Sequence, residues 1–183
     1  SIFLVVLPSP GPTRIFRLAY PQPDYVRLAR RALDAWRELE DAAGEELLVM
    51  TGGLYAGEWA EECGQALASC GVPREWLPAA EAAERFPGVA LDGIERLLYQ
   101  DDGAVCLAER AVSAQARLAR RAGVDVRERA EVIHIAVADD LITIETEAGA
   151  VSAETAVVAA GSWAGGLLSE LAVDLPLRPT FAQ

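Results

Sequence analysis

The chain contains two kinds of strand pattern, and their order constrains the fold more than any other feature of the sequence. Residues 1–7 (SIFLVVL) and 155–160 (TAVVAA) are almost wholly apolar, which is typical of strands buried on both faces of a parallel sheet. Residues 141–147 (LITIETE) alternate apolar and polar side chains, as a half-solvated antiparallel strand does. We therefore predict a mixed α/β (α+β) fold in which a helix-covered parallel sheet is interrupted by an antiparallel layer.

The segments between these strands predict helices and further short strands. Helical patterns cover residues 24–44, 58–71, 79–86 and 108–123, with Asp24 as the N-cap of the first and Gly44, Gly71 and Gly123 as helix ends. Residues 46–57 predict two short strands around a glycine turn, and residues 96–107 predict two hairpin strands around Asp102 and Gly103.

Composition excludes several classes of function. The formal net charge of −12 argues against a nucleic-acid partner and against an anionic membrane surface. The apolar run at residues 1–7 is shorter than a membrane helix requires, and no basic residues precede it as they would in a signal peptide. Cys63, Cys70 and Cys106 form an odd set without paired spacing, so we predict no metal site and a reducing, cytoplasmic location.

Two arginines stand in the apolar segment TRIFRLAY, residues 13–20. Arg14 and Arg17 are three positions apart and lie between large apolar side chains. One interpretation is a pair of surface arginines whose stems cover apolar surface. The other is a clamp for an anion, because a planar guanidinium binds a carboxylate through two parallel hydrogen bonds.

The segment VVAAGSWAGGLL, residues 157–168, predicts a second candidate site. A buried strand ends in small residues at Ala159, Ala160 and Gly161, and a helix follows. Ligands of open α/β sheets bind beyond the carboxyl ends of the strands, and small residues let a flat ligand approach the backbone. A tight strand-to-helix turn without a ligand explains the same pattern. His134 lies within a predicted strand, and we interpret it as structural.

Five motifs in order give the chain a family resemblance. From about Thr13 to Arg178 the motifs TRIFRLAY, LDAWRELE, TGGLYAG, DDGAV before a helix, and VVAAGSWAGGLL resemble those of flavin-dependent amine oxidases of the monomeric sarcosine oxidase and N-methyltryptophan oxidase type, within the D-amino-acid oxidase superfamily. The resemblance implies an FAD cofactor and an incomplete FAD-binding, Rossmann-like parallel sheet interrupted by an antiparallel substrate-domain sheet with helices.

The resemblance also implies roles for individual residues. It places Thr13 and Arg14 beside the flavin and gives Arg17 the carboxylate of the substrate, so that Arg14 and Arg17 are the candidate catalytic residues. The remaining candidate cofactor contacts are Val132, through its backbone, and Ala159, Ala160, Gly161 and Trp163. A positive charge near the flavin, here that of Arg14, stabilises the anionic reduced ring.

The resemblance further implies a division into domains. Residues 1–44 and 125–172 correspond to the FAD-binding domain, and residues 45–124 and 173–183 correspond to the substrate domain. The sequence contains no G-x-G-x-x-G motif, and no acidic residue precedes Asp24. Because a complete phosphate-binding βαβ unit needs ~30 more residues in front, we expect the chain to be a fragment.

The expected activity follows from the family. We expect oxidation of the C–N bond of a secondary or primary amino acid by hydride transfer to the flavin, with oxygen as the electron acceptor. The partners are then a small amino-acid or amine substrate and, through uncovered sheet edges, other protein chains. Two alternatives stay open: a catalytically silent truncated module that does not hold FAD, and a flavin enzyme of the same fold that acts on an α-hydroxy acid or glycerol phosphate.

Overall fold

The computed structural model describes residues 2–4 and 11–178, which fall into two compact units. One unit comprises residues 1–10 and 119–183, and the other comprises Gly11–Leu118. The helices are α1 (Pro23–Ala43), α2 (Glu58–Ser69), α3 (Ala79–Arg85), α4 (Ala108–Arg121) and α5 (Ala164–Ser169), with a short 3₁₀ turn at Gly161–Trp163. The strands are β1 (Ile2–Leu4), β2 (Arg14–Phe16), β3 (Leu48–Met50), β4 (Gly53–Tyr55), β5 (Glu75–Pro78), β6 (Arg96–Gln100), β7 (Ala104–Cys106), β8 (Asp125–Arg127), β9 (Val132–Ala138), β10 (Leu141–Thr146) and β11 (Gly149–Ala153).

The predicted helices form, and their ends follow backbone geometry. Gly44, Gly71 and Gly123 adopt positive φ angles of 70°, 66° and 82°, the left-handed conformation that ends a helix at low cost. The N-cap prediction for α1 is wrong. Gln22 is the capping position, Pro23 is the first helical residue, and Asp24 lies in the first turn. Proline at this position needs no backbone N–H partner, so the helix begins two residues earlier than an Asp24 cap would place it.

The unit of residues 11–118 contains two antiparallel sheets, with strand orders β2-β7-β3 and β4-β6-β5. The predicted strands at residues 96–107 are confirmed, but their predicted hairpin is wrong. β6 pairs with β4 and β5, whereas β7 pairs with β2 and β3. Asp102 and Gly103 therefore form a corner at which the chain passes from one sheet to the other.

A second corner lies directly against the first. The chain also changes sheets between β3 and β4, and the backbone N–H groups of Thr51 and Gly52 both donate to the Gly103 carbonyl, at 3.0 and 2.9 Å. A Cβ atom on Gly103 would lie 2.6 Å from the carbonyl carbon of Gly52. Glycine at position 103 therefore permits a backbone approach that a side chain would block.

The core of this unit lies between the helices and the sheets. Its largest cluster combines Leu18, Val26 from α1, Cys63 and Leu67 from α2, and Leu98 from β6. Each of these side chains is almost completely buried, so the hydrophobic effect fixes α1 and α2 against β6. The segment that follows β2 is held in place by the same packing.

The unit containing residues 119–178 is described separately. β1 and β8 form a parallel pair, and β9, β10 and β11 form an antiparallel sheet, so this unit contains both parallel and antiparallel pairing, as predicted. Residues 1 and 5–7 of the first predicted strand lie outside the described residues. Among the described residues, Glu170, which caps the C-terminal end of α5, contacts His134 on β9, with 2.6 Å between Glu170 Oε2 and His134 Nδ1. This contact supports a structural role for His134.

The strand predicted at residues 155–160 does not form. This segment has no strand hydrogen bonds, and Val157 is 87% exposed. A strand requires a neighbour that satisfies its backbone N–H and C=O groups, and within residues 2–4 and 11–178 no strand pairs with this segment. The helix predicted after it does form, as the 3₁₀ turn and α5.

Candidate functional site

Arg17 lies at the centre of an aromatic cluster in the unit of residues 11–118. It follows β2 directly, and its half-buried guanidinium lies 5.1 Å from the centroid of the Tyr20 ring and 4.9 Å from that of the Trp59 ring. The Tyr55 ring lies 5.5 Å from the Trp59 ring. One positive charge is therefore surrounded by side chains from three separate segments. These are the residues after β2, the end of β4 and the first turn of α2. We call Arg17, Tyr20, Tyr55 and Trp59 the aromatic cluster.

The Arg17 guanidinium has no acidic partner within the described part of the chain. Two other arginines that stack on aromatic rings do have one. Arg85 contacts Tyr99 and forms an ion pair with Glu75, and Arg96 contacts Trp76 and forms an ion pair with Glu61. The guanidinium of Arg17 is thus held by rings while its N–H donors are left for a ligand, and five donors in a fixed plane match the geometry of a carboxylate.

Electrostatic effects around Arg17 follow from burial and from its charge. Burial raises the pKa of Cys63 to about 11, and the nearby Arg17 charge opposes that rise. Burial likewise raises the pKa of the Tyr55 hydroxyl, although the positive charge of Arg17 acts to lower it. Both groups are therefore protonated at neutral pH. Because neither neighbour carries a compensating negative charge, the positive charge of Arg17 is available to an anion.

Thr13 and Arg14 are exposed at the start of the same segment. Arg14 Nη1 donates a hydrogen bond of 2.6 Å to the Thr13 carbonyl oxygen. In the β2–β7 pairing Arg14 lies opposite Cys106, and its charge opposes the rise that burial causes in the pKa of that thiol. The structure therefore gives Arg14 and Arg17 different surroundings, since Arg14 is exposed and Arg17 is half-buried among rings.

The other predicted cofactor contacts belong to the unit that contains residues 119–178. Val132 begins β9 and is half-buried, Ala159 and Gly161 are exposed, and Trp163 is 55% exposed. Gly161 has a φ of 55°, where the extended segment turns into the 3₁₀ turn. The predicted site residues are thus divided between the two units, with Thr13, Arg14 and Arg17 in one and the remaining five in the other.

Sequence reasoning missed Tyr55 and Trp59. Tyr55 ends a short strand and Trp59 begins a helix, so no single period of the sequence relates them. One sequence feature could have indicated that these two rings lie close together. Gly57 stands between them, and with a φ of 77° it turns the chain sharply between β4 and α2. Arg17 comes from a distant segment, so its contact with either ring requires tertiary structure.

Comparison with known proteins identifies the family. Residues 9–183 match the profile described as FAD dependent oxidoreductase (DAO). The chain belongs to this family. It is 30% identical over 175 residues to monomeric sarcosine oxidase from Arthrobacter sp. strain TE1826, an alignment that covers 92% of this chain and 45% of that protein. It is 31% identical over 177 residues to N-methyl-L-tryptophan oxidase from Salmonella enteritidis PT4, covering 94% of this chain and 47% of that protein.

The fold of this family member has solved counterparts. The structure of NikD, an amino acid oxidase essential for nikkomycin biosynthesis, superposes with a TM-score of 0.78 at 27% sequence identity, covering 89% of this chain and 44% of that chain. The predicted family resemblance and mixed fold are therefore confirmed. The chain spans less than half the length of the relatives it matches.

No membrane-crossing helix occurs in the described part of the chain, because none of its helices combines the necessary length with sufficient apolar character. Cys63, Cys70 and Cys106 are free thiols.

Proposed function

We propose that this chain contributes the carboxylate-binding site and part of the cofactor-binding region of an enzyme that uses FAD to oxidise the C–N bond of a small secondary or primary amino acid. The observation that carries the proposal is Arg17, whose guanidinium is stacked on two rings without an acidic partner among the described residues. Membership of the FAD dependent oxidoreductase family supports the reaction class. The names of the sarcosine and N-methyl-L-tryptophan oxidases support an N-substituted amino acid as substrate.

Arg17 binds the substrate carboxylate in this proposal. Two parallel N–H···O hydrogen bonds fix the position and the rotation of the amino acid, so that its C–N bond is presented in one orientation. The surrounding rings lower the local dielectric constant and strengthen the pairing. Arg14, exposed on the same segment, has the separate role of a positive charge beside the cofactor.

The residues proposed to hold FAD fit a flat group. Ala159, Ala160 and Gly161 are small and at least partly exposed, and Trp163 adds an exposed ring. Small residues allow a ring system to contact the backbone, and an indole stacks on flat surfaces. Val132, Thr13 and Arg14 complete the proposed set. When bound, FAD supplies the acceptor for the hydride that leaves the carbon of the C–N bond.

The overall reaction conserves electrons and atoms. The amino acid loses a hydride from the carbon and a proton from the nitrogen, which turns the C–N single bond into an imine. Water then hydrolyses the imine to a carbonyl compound and an amine. Oxygen is the proposed acceptor: it takes up two electrons and two protons, leaves as hydrogen peroxide and so regenerates the oxidised cofactor. The division into an FAD-binding domain at residues 1–44 and 125–172 and a substrate domain at residues 45–124 and 173–183 belongs to the same proposal; residues 179–183 lie outside the described ones.

The first test is whether the purified chain binds FAD. We expect flavin absorbance to accompany the protein through gel filtration after incubation with FAD. A protein that stays colourless with added FAD would contradict the proposal for the isolated chain and favour the silent module. Oxidation of glycolate or glycerol 3-phosphate in preference to sarcosine would favour an α-hydroxy acid or phosphate substrate.

The second test separates the roles of the residues. Arg17→Ala should greatly weaken the binding of carboxylate ligands and leave the flavin content nearly unchanged. Arg96→Ala is the matched control, since Arg96 also stacks on a ring but pairs with Glu61. Loss of flavin from Arg17→Ala with unchanged carboxylate affinity would refute the assignment.

A further inference from the structure

We infer that Trp59 is a positioning residue for Arg17 and sets the affinity of its site for carboxylates. The inference deepens the proposed function, and it rests on that function only in taking the anion to be the carboxylate of the substrate. Trp59 would not touch the reacting atoms. Its contribution is to hold the guanidinium in one plane before the ligand arrives.

The geometry gives Trp59 the means to do this. Its indole is the closer of the two rings to Arg17, at 4.9 Å against 5.1 Å for Tyr20. Trp59 stands in the first turn of α2, and the next residue, Ala60, is completely buried. The Tyr55 ring packs against the indole at 5.5 Å. The indole is therefore fixed by its helix and by a second ring, and it can transmit that rigidity to the flexible arginine side chain.

The same unit repeats this arrangement in a completed form. At Arg96 an indole from Trp76 lies 4.5 Å from the guanidinium, and Glu61 accepts a 2.6 Å hydrogen bond from Nη2. At Arg85 the Tyr99 ring lies 4.2 Å away, and Glu75 accepts at 2.7 Å. Each of these sites has a ring, a guanidinium and a carboxylate.

Arg17 has the first two of these three parts. Within the described residues its rings are present and no carboxylate of the protein pairs with it. The structure thus assigns the third place to a carboxylate from outside the chain. Tryptophan is the strongest cation–π partner among the aromatic residues, and a pre-oriented guanidinium loses less conformational entropy when it binds.

The test measures binding by the full 183-residue chain and does not depend on catalysis. Acetate is the probe and acetamide is its neutral control, both followed by calorimetric titration. We expect the unmodified chain to bind acetate and not acetamide, and Arg17→Ala to abolish binding. Trp59→Leu should weaken acetate binding roughly fivefold. The reason is that a cation–π contact at a half-buried site changes a binding constant by about tenfold or less.

Two further variants distinguish a specific effect of the Trp59 ring from a general loss of folding. Trp59→Phe keeps a ring and should bind acetate with an affinity between those of the unmodified chain and Trp59→Leu. Trp76→Leu removes an equivalent ring from the completed Arg96 site and should leave acetate affinity unchanged. Acetate should also change the tryptophan emission of the unmodified chain, and this change should disappear in Trp59→Phe although binding persists.

Several results would overturn the inference. The first is that Trp59→Leu binds acetate as tightly as the unmodified chain does. The second is that Trp76→Leu weakens acetate binding as much as Trp59→Leu does. The third is that the unmodified chain does not bind acetate. Trp59-dependent acetate binding by a chain that does not retain FAD through gel filtration would uphold the inference and contradict the proposed role of the chain in binding the cofactor. The experiments therefore distinguish a failure of this inference from a failure of the proposed function.

Discussion

At the scale of single residues, Glu40 joins the end of a helix to the start of a strand. Its carboxylate accepts hydrogen bonds from the backbone N–H groups of Leu47 and Leu48, at 2.7 and 2.8 Å, and from Arg37 at 2.7 Å. Its side chain is only 12% exposed. One carboxylate thus satisfies two buried donors of the segment that leads into β3, the strand paired with β7.

Removing this carboxylate should destabilise the unit of residues 11–118. In Glu40→Ala the N–H groups of Leu47 and Leu48 lose their partner in a buried environment, and we expect the free energy of unfolding to fall by about 2–3 kcal/mol. Urea denaturation followed by circular dichroism measures the change. Glu38→Ala, an exposed acidic position on the same helix, is the control; an equal loss in both variants would contradict this role.

The stabilisation by Glu40 should depend on pH. Burial raises the pKa of its carboxyl, but the hydrogen bonds from Leu48, Leu47 and Arg37 outweigh this effect and hold the pKa below the ordinary value of 4.5. A carboxyl with a lowered pKa in the folded state stabilises the protein above the unfolded pKa, and this stabilisation is lost as the pH falls through the folded one.

Comparison of the unmodified chain with Glu40→Gln isolates this effect. The difference in free energy of unfolding should be constant near neutral pH and should shrink as the pH falls below 4.5. Denaturant titrations over this acid range measure it. A difference that does not change with pH would show that the charge of Glu40 contributes nothing.

The residues illustrate how far a sequence specifies a site. Arg17 is predictable from its place in an apolar segment and from the family resemblance. Trp59 is not, because its importance comes from a contact between the first turn of α2 and a segment far earlier in the chain. Local patterns report on neighbours in the sequence, whereas a ring stacked on a distant guanidinium is a product of the packing of α1, α2 and β6.

At the scale of elements, the chain turns a corner at Gly52, between β3 and β4, and another at Gly103, between β6 and β7. These two adjacent corners separate the β3–β7 pairing from the β4–β6 pairing and so create two sheets. The helices and most strands are predictable because their periodicity is local. The corner resembles a hairpin in the sequence because Asp102 and Gly103 have the composition of a reversing turn. Which sheet each strand joins depends on β2, β3, β4 and β5, and no local pattern encodes that choice.

A side chain at the Gly103 corner should be costly. In Gly103→Ala the new Cβ would lie 2.6 Å from backbone atoms of Gly52, so the two corners must separate and the hydrogen bonds to the Gly103 carbonyl are strained. We expect a loss of about 1–3 kcal/mol in unfolding free energy, measured by thermal or urea denaturation. Gly88→Ala is the control, since a Cβ atom at that position would meet nothing within 4 Å; a similar small effect in both would contradict the steric explanation.

At the scale of the whole molecule, the unit containing residues 119–178 exposes much apolar surface. Ile133 and Val137 on β9 are 56% and 59% exposed, and β9 and β11 are the outer strands of their three-stranded sheet. An outer strand with unpaired backbone groups and apolar side chains favours pairing with other chains. The predicted association through sheet edges stays a prediction.

Sedimentation equilibrium tests this association. We expect the average mass of the unmodified chain to rise with concentration and the double variant Ile133→Thr/Val137→Thr to reduce that rise, because threonine keeps the preference for strand and removes apolar surface. Ile15→Thr, at an exposed position in the other unit, should have a smaller effect. A mass that is independent of concentration would contradict the prediction.

The central position of β7 has a consequence for how the protein is made. β2 at residues 14–16 and β3 at residues 48–50 do not pair with each other, and both pair with β7 at residues 104–106. During synthesis the N-terminal strands therefore leave the ribosome long before their common partner exists. Closing so long a loop is entropically costly and slow. The nascent chain therefore passes through a stage in which Arg14–Phe16 has no strand partner, and we expect chaperone contact before residue 106 emerges to protect this apolar segment.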